Sequence, residues 1–295
     1  MTRPQRTEET NLARQVEAAQ SILALPLAGE AIRLERAAAA CSAEVAVAMA
    51  RLDPSSGASV QKIAGGLSIF AGKGSPLTQG LALGLAGPVT DKDLDALEAH
   101  LCPDGSGAHQ LELSPFVDPS LPALLGRRGF RVQEWQLVWT RPVPSEPQQP
   151  PPAGLRVERV RPGQEELCLR TILAGFLETE EVPPEMVALM LPSASAAQHE
   201  SYLAWLGEEP IGGASLSWAD GVAFVNGSGV RPAFRRNGAQ GALIRARLDR
   251  ARELGCAVAC SSTLPGTASR RNMERHGFRV EYPKLVMLRD VARGS

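Results

Sequence analysis

The chain has 295 residues, enough for two domains of ordinary size. Hydrophobic residues make up 44 % and aromatic residues 4 %, so a core here is built mostly from Leu, Val, Ile and Ala. Lys plus Arg total 31 against 32 Asp plus Glu, and a net charge of -1 argues against a general electrostatic grip on nucleic acid or an anionic membrane. The five cysteines, Cys41, Cys102, Cys168, Cys256 and Cys260, are odd in number and scattered, which does not fit a secreted disulfide scaffold. The polar start, MTRPQRTEETN, has no apolar signal core after it, and no long uncharged apolar window follows. A cytoplasmic chain with no membrane partner is expected. His100, His109, His199 and His276 show no metal-ligand spacing, so no metal is expected.

In chain order, helix-rich sequence is expected over Glu8 to Leu25 and Ala31 to Ala50. Successive strands follow over Ser59 to Pro76 and Leu77 to Gly87. Asp91 to Leu101 reads as a helix capped by Thr90, with Asp93 three residues on. A strand from His109, a short helix over Asp118 to Leu125 and a strand over Phe130 to Arg141 complete the first half. Arg141 to Gly154 holds six prolines in fourteen residues and forms neither helix nor central strand. This linker is either a tether or a crossing packed on the surface.

In the second half, Leu155 to Val160 alternates as a strand, and Glu165 to Leu177 and Pro184 to Leu191 read as helices. Two strand runs meet at the turn Gly207 to Pro210, and a third strand spans Val222 to Val230. An amphipathic helix runs from about Asn237 to Leu254, closed by Gly255. A short buried strand, a helix over Ser269 to His276 and a strand over Phe278 to Leu288 end the chain. Gly129-Phe130-Arg131-Val132 and Gly277-Phe278-Arg279-Val280 each stand between a short helix and a last strand, which points to an internal duplication.

The segment Gly229 to Ile244, GVRPAFRRNGAQGALI, carries the chemistry. A strand leads into a loop with Arg235, Arg236 and Gly238, and a helix follows at once. Unpaired N–H groups at the helix start, the helix dipole, a glycine and two guanidinium groups make an anion site suited to a pyrophosphate. The spacings of a P-loop and of a dinucleotide fingerprint are both absent.

With these residues the second half resembles the GCN5-related N-acetyltransferase superfamily. Its Arg/Gln-x-x-Gly-x-Gly/Ala loop is matched by Arg235-Arg236-Asn237-Gly238-Ala239-Gln240, followed by Gly241. The preceding Val230 to Arg235 and the Asn272 ahead of Gly277-Phe278 also match. The resemblance implies an α/β fold of two tandem domains, each a mixed, mostly antiparallel sheet flanked by helices. Residues 1–140 would be a degenerate copy lacking the pyrophosphate loop, 141–154 a Pro-rich linker, and 155–290 the domain with the acyl-CoA site. It implies acetyl-CoA as cosubstrate, held by Gly229, Val230, Arg235, Arg236, Asn237, Gly238, Ala239, Gln240, Gly241 and Asn272. The acceptor would be a small-molecule or peptide amine, attacked directly in a ternary complex.

Gln240 stands where the family has Gly or Ala, and Met273 where many members have the Tyr that protonates the leaving thiolate. Met cannot donate a proton, so an acid would be water, Tyr282 or Ser269. Glu181, with Glu180, lies in the loop that resembles the substrate-facing wall and is the candidate base. Arg245, Arg247, Arg250 and Arg252 are interspersed with acids and read as a solvated helix face. The alternative function is a CoA-binding or protein-interaction module that has lost its chemistry. Both a monomer and a homodimer fit the sequence.

Overall fold

The computed structural model describes residues 26–105 and 107–290. The helix expected over Glu8 to Leu25 lies outside them. The first half contains helix α1 (Pro26–Leu52), strands β1 (Ser59–Ile63), β2 (Gly66–Phe70) and β3 (Gln79–Leu81), helix α2 (Asp91–Leu101), β4 (Ala108–Leu113), α3 (Ser120–Arg127) and β5 (Arg131–Pro142). The second half contains β6 (Leu155–Arg159), α4 (Glu165–Leu177), α5 (Pro184–Met190), β7 (His199–Leu206), β8 (Glu209–Ala219), β9 (Val222–Phe224), β10 (Gly229–Val230), α6 (Ala239–Glu253), β11 (Val258–Thr263), α7 (Ala268–Arg275) and β12 (Arg279–Asp290). The first strand run expected over Ser59 to Pro76 is a hairpin, because Ala64 and Gly65 both take positive φ, 49° and 75°.

One sheet runs through both halves, in place of a separate sheet in each. Its order is β1-β2-β3-β4-β12-β5-β11-β9-β8-β7-β6, with β10 also on β8. Among the described residues only β3–β4 and β9–β11 are parallel pairs. The halves exchange their last strands: β5 pairs with β11, and β12 pairs with β4. The successions β4–α3–β5 and β11–α7–β12 are alike, and each supplies the strand that covers the other's open edge. β5 and β12 lie side by side, Val138 opposite Tyr282 and Gln136 opposite Lys284.

Strand alternation divides the side chains between two faces. Ala214, Leu216, Ala223 and Val225 face α6 and pack with Leu243, Ile244 and Leu248. Phe224, Cys260, Val138 and Tyr282 face the other way, against Ala31, Leu34 and Ala37 of α1. Helix α1 belongs to the first half yet crosses onto the second: Arg33 donates to Asp220 O at 2.7 Å and Arg51 to Ser195 O at 3.0 Å. The Pro-rich linker is a packed crossing. Gln148 N donates to Asp249 Oδ1 at 2.9 Å and Gln149 O accepts from Arg245 Nε at 3.0 Å, so it lies along α6. Among the described residues no helix is long and apolar enough to cross a membrane.

Candidate active site

The strand expected over Val222 to Val230 is broken. β9 pairs with β11 only as far as Phe224, opposite Cys260, and Val225 N then donates to Cys260 O at 2.9 Å. The Asn226 side chain ends this ladder, accepting from Ser261 Oγ at 3.2 Å and Ser262 N at 3.3 Å. Beyond it the chain stays with β8 alone. Ser217 faces Phe224 but Gly213 faces Gly229, so one extra residue is accommodated as a bulge. The result is a gap between residues 226–230 and β11.

The ladder fixes which amides face that gap. Ser215 N donates to Gly227 O and Arg231 N to Ile211 O. Alternation therefore turns the polar groups of Gly227, Gly229 and Arg231 toward β8, and the N–H groups of Ser228 and Val230 toward the gap. Helix α4 packs tightly behind. A Cβ at Gly229 would stand 2.2 Å from Ile172 O, and one at Gly175 would stand 2.5 Å from Val230 N. A cavity of about 370 Å³ occupies the gap, lined among others by Ser228, Gln240, Ser262, Thr267 and Met273.

The loop after the gap ends at an open helix terminus. Arg236 has φ 67° and Gly238 φ 88°, and this succession of left-handed residues turns backbone N–H groups outward as an anion nest. Gly238 is the N-cap of α6 and offers no side chain, and the first turn holds no acid. Ala239 N is held by Asn237 Oδ1 at 3.2 Å, and Gln240 Oε1 accepts from Ser228 Oγ at 3.2 Å. Arg235 pairs with Glu178 at 3.0 Å, whereas Arg236 has no ion pair among the described residues.

In the first half, the start of helix α2 is closed. Thr90 Oγ1 accepts from Asp93 N, and Asp93 accepts from Thr90 N at 2.8 Å, a capping box. Hydrogen bonds from Thr90 hold the Asp93 carboxyl below its usual range. With Asp91 beside it, this end repels an anion. Buried Leu83 and Leu85 fill the region after β3.

A second cavity, also about 370 Å³, lies under α1 on the opposite face of the sheet from α6. It meets the gap at Gln136, Asn226, Gly227 and Ser262, which line both. His199 lines one side; burial lowers its pKa, so the ring is neutral at pH 7. Glu35, Glu112 and Lys284 line the other.

Of the residues expected to hold the cosubstrate, Arg235 to Gly241 come together around the start of α6. Asn272 lies on α7, where its carbonyl accepts from His276, whose Nδ1 is 2.8 Å away. Met273 lines the gap. Glu181 sits in an exposed loop and lines neither cavity, and Glu180 pairs with Arg231 at 2.7 Å. Tyr282 is 4 % exposed and faces the second cavity, not the gap; its hydroxyl donates to Glu35 Oε1 at 2.8 Å.

Arg247 corrects the expectation of a solvated face. It is fully buried, and its Nη1 donates to Ser215 O at 2.8 Å and Asn226 O at 3.0 Å. Burial pushes its pKa down to about 9, still cationic at neutral pH. Asn226, Glu35 and Glu112 were not singled out by the sequence. Asn226 sits within Val222 to Val230 as one more strand residue, and the two acids come from distant segments.

Among the described residues, no cluster of His, Cys, Asp or Glu is arranged to hold a metal ion. The family model of the acetyltransferase (GNAT) family matches residues 169–278, which include the gap, the loop and α6. No curated protein matches the sequence. Among solved structures, a GCN5-related N-acetyltransferase from Kribbella flavida is 17 % identical with a TM-score of 0.58, covering 85 % of this chain and 96 % of its own. A tandem GNAT protein from the clavulanic acid biosynthesis pathway is 14 % identical with a TM-score of 0.53, covering 74 % of this chain and 75 % of its own. The chain thus has the fold of the GCN5-related N-acetyltransferases.

Proposed function

We propose that the protein transfers an acetyl group from acetyl-CoA to a primary amine of a small acceptor, by direct attack in a ternary complex. The observation that carries this is the continuity of three features: an open helix terminus at Gly238, a gap in the sheet, and a second cavity entered through the gap. Acetyl-CoA would supply the thioester carbonyl. The open N–H groups at the start of α6, Ala239 apart, with Arg235 and Arg236, suit its pyrophosphate. The gap-facing N–H groups of Ser228 and Val230 are donors for carbonyl oxygens along the pantetheine arm and at the thioester. On this reading residues 155–290 carry the cosubstrate site and residues 1–140 form a degenerate copy that walls the acceptor cavity.

The amine must lose a proton to become nucleophilic. His199 stands two strands from the gap, on β7, with Ser215 and Ser217 of β8 between. A neutral imidazole reached through hydroxyl groups fits the base better than exposed Glu181 does. No tyrosine lines the gap, so the leaving thiolate takes its proton from water or from a hydroxyl such as Ser269, which does line it.

Release of free CoA thiol, followed with a panel of primary amines, tests the proposal. Amine-dependent release that is lost in Gly238→Asp supports it. A second reading, a CoA-binding module without chemistry, draws on Met273 at the gap. Acetyl-CoA binding with no amine-dependent release would select it.

A further inference from the structure

The second cavity, under α1, is built by both halves of the chain. Helix α1 roofs it, and its floor crosses the sheet from β4 to β7. On one side stand Glu35 from α1, Glu112 from β4 and Lys284 from β12, two carboxylates against one ammonium. Lys284 is paired with Glu112 and lies 3.9 Å from Glu35 Oε1, the oxygen that also accepts from Tyr282. Glu35 is only 4 % exposed and lines the cavity, yet its other oxygen, Oε2, has no hydrogen-bond partner among the described residues. Oε2 therefore opens to the cavity and can accept from a donor on a ligand. Burial raises the Glu35 pKa, Lys284 opposes this, and Glu112 adds to it. A further cation in the cavity would act as Lys284 does and favour the ionised form of Glu35.

We propose that Glu35 and Glu112 bind a second, protonated amino group of the acceptor, so that the acceptor is a small aliphatic diamine. This rests on the second cavity being the acceptor site of the proposed reaction. Lys284 on β12 is two strand spacings from β11 and Glu112 on β4 three, about 10 and 14 Å at ordinary strand spacing. Gln136, opposite Lys284, lines both cavities and marks the way from the charged set to the gap. Leu34, Ala38 and Val138 offer apolar contact to the methylenes between the two amines.

The test is calorimetric titration of the full chain, without acetyl-CoA, with 1,6-diaminohexane, 1,4-diaminobutane and hexylamine. The diaminohexane is expected to bind about ten-fold more tightly than hexylamine, the value of one charge-assisted contact. Glu35→Gln and Glu112→Gln are each expected to reduce that preference. Equal affinity of the wild-type chain for diamine and monoamine would overturn the proposal without recourse to a variant. A preference that survives both substitutions would overturn it as well. A separate acetyl-CoA titration keeps the two ideas apart. Diamine preference without acetyl-CoA binding would remove the acetyl-transfer function and leave this site standing. Acetyl-CoA binding without diamine preference would do the reverse.

Discussion

Arg247 Nη1 donates to the carbonyl of Asn226 at 3.0 Å, so the helix that begins at the anion nest also holds the strand that opens the gap. The same nitrogen holds Ser215 O, on the other side of the bulge. The bulge frees these carbonyls from the ladder, and the guanidinium satisfies them in a site with no water contact. Replacing Arg247 by Met should cost about 2–4 kcal/mol, since two buried acceptors lose their donor. Urea unfolding of the variant reads this directly; an unchanged midpoint would contradict it.

Much of this arrangement was legible in the sequence, and the omissions share one cause. Local signals placed α4 at Glu165 to Leu177, the Thr90–Asp93 capping box, the Gly255 terminus and the repeated Gly-Phe-Arg-Val segments where they stand. The exchange of β5 and β12 was not legible, because partner choice between two similar edges depends on contacts more than 100 residues apart, as in Val138 opposite Tyr282. Arg247 looked solvated because helix periodicity gives an outer face but not the bulge that draws one long side chain inward. Glu35, Glu112 and Lys284 meet only when α1 and the exchanged strand are both in place.

His199→Gln should lower kcat by about 100-fold, in the range of general-base contributions, while Glu181→Ala should leave it within about two-fold. In the wild-type protein the rise of kcat with pH should have its midpoint below pH 6.5, because burial lowers the His199 pKa from 6.5. Steady-state kinetics with the same amine for both variants compares them. A large loss in Glu181→Ala would move the base to the exposed loop.

Stability should fall as the solution becomes mildly acid. Burial is the largest cause lowering the pKa of His100, His109, His199 and His276. Each therefore binds fewer protons folded than unfolded between its lowered pKa and 6.5, so stability is lost as pH drops through that window. Glu35, held high, acts in the opposite sense, one group against the histidines. Urea midpoints at pH 7.5 and 5.5 should decrease in that order, and the decrease should shrink in His199→Gln.

Gly241→Ala should weaken acetyl-CoA binding and destabilise the fold. A Cβ there would stand 3.0 Å from His276 Nε2 and 3.3 Å from Arg245 Nη1, so both side chains must give way at the start of α6. A cost of about 1–3 kcal/mol is expected for such overpacking. Thermal unfolding and an acetyl-CoA titration of the variant check both parts; wild-type values in each would contradict it.

The central claim is a single acetyl-CoA site per chain, formed by the gap and the open terminus of α6. Calorimetric titration of the wild-type protein beside Gly238→Asp tests it most directly. The account predicts one site per chain, with binding lost in the variant because a carboxylate and a Cβ enter the nest at a left-handed position. Absence of binding by the wild-type protein, or two sites per chain, would contradict it.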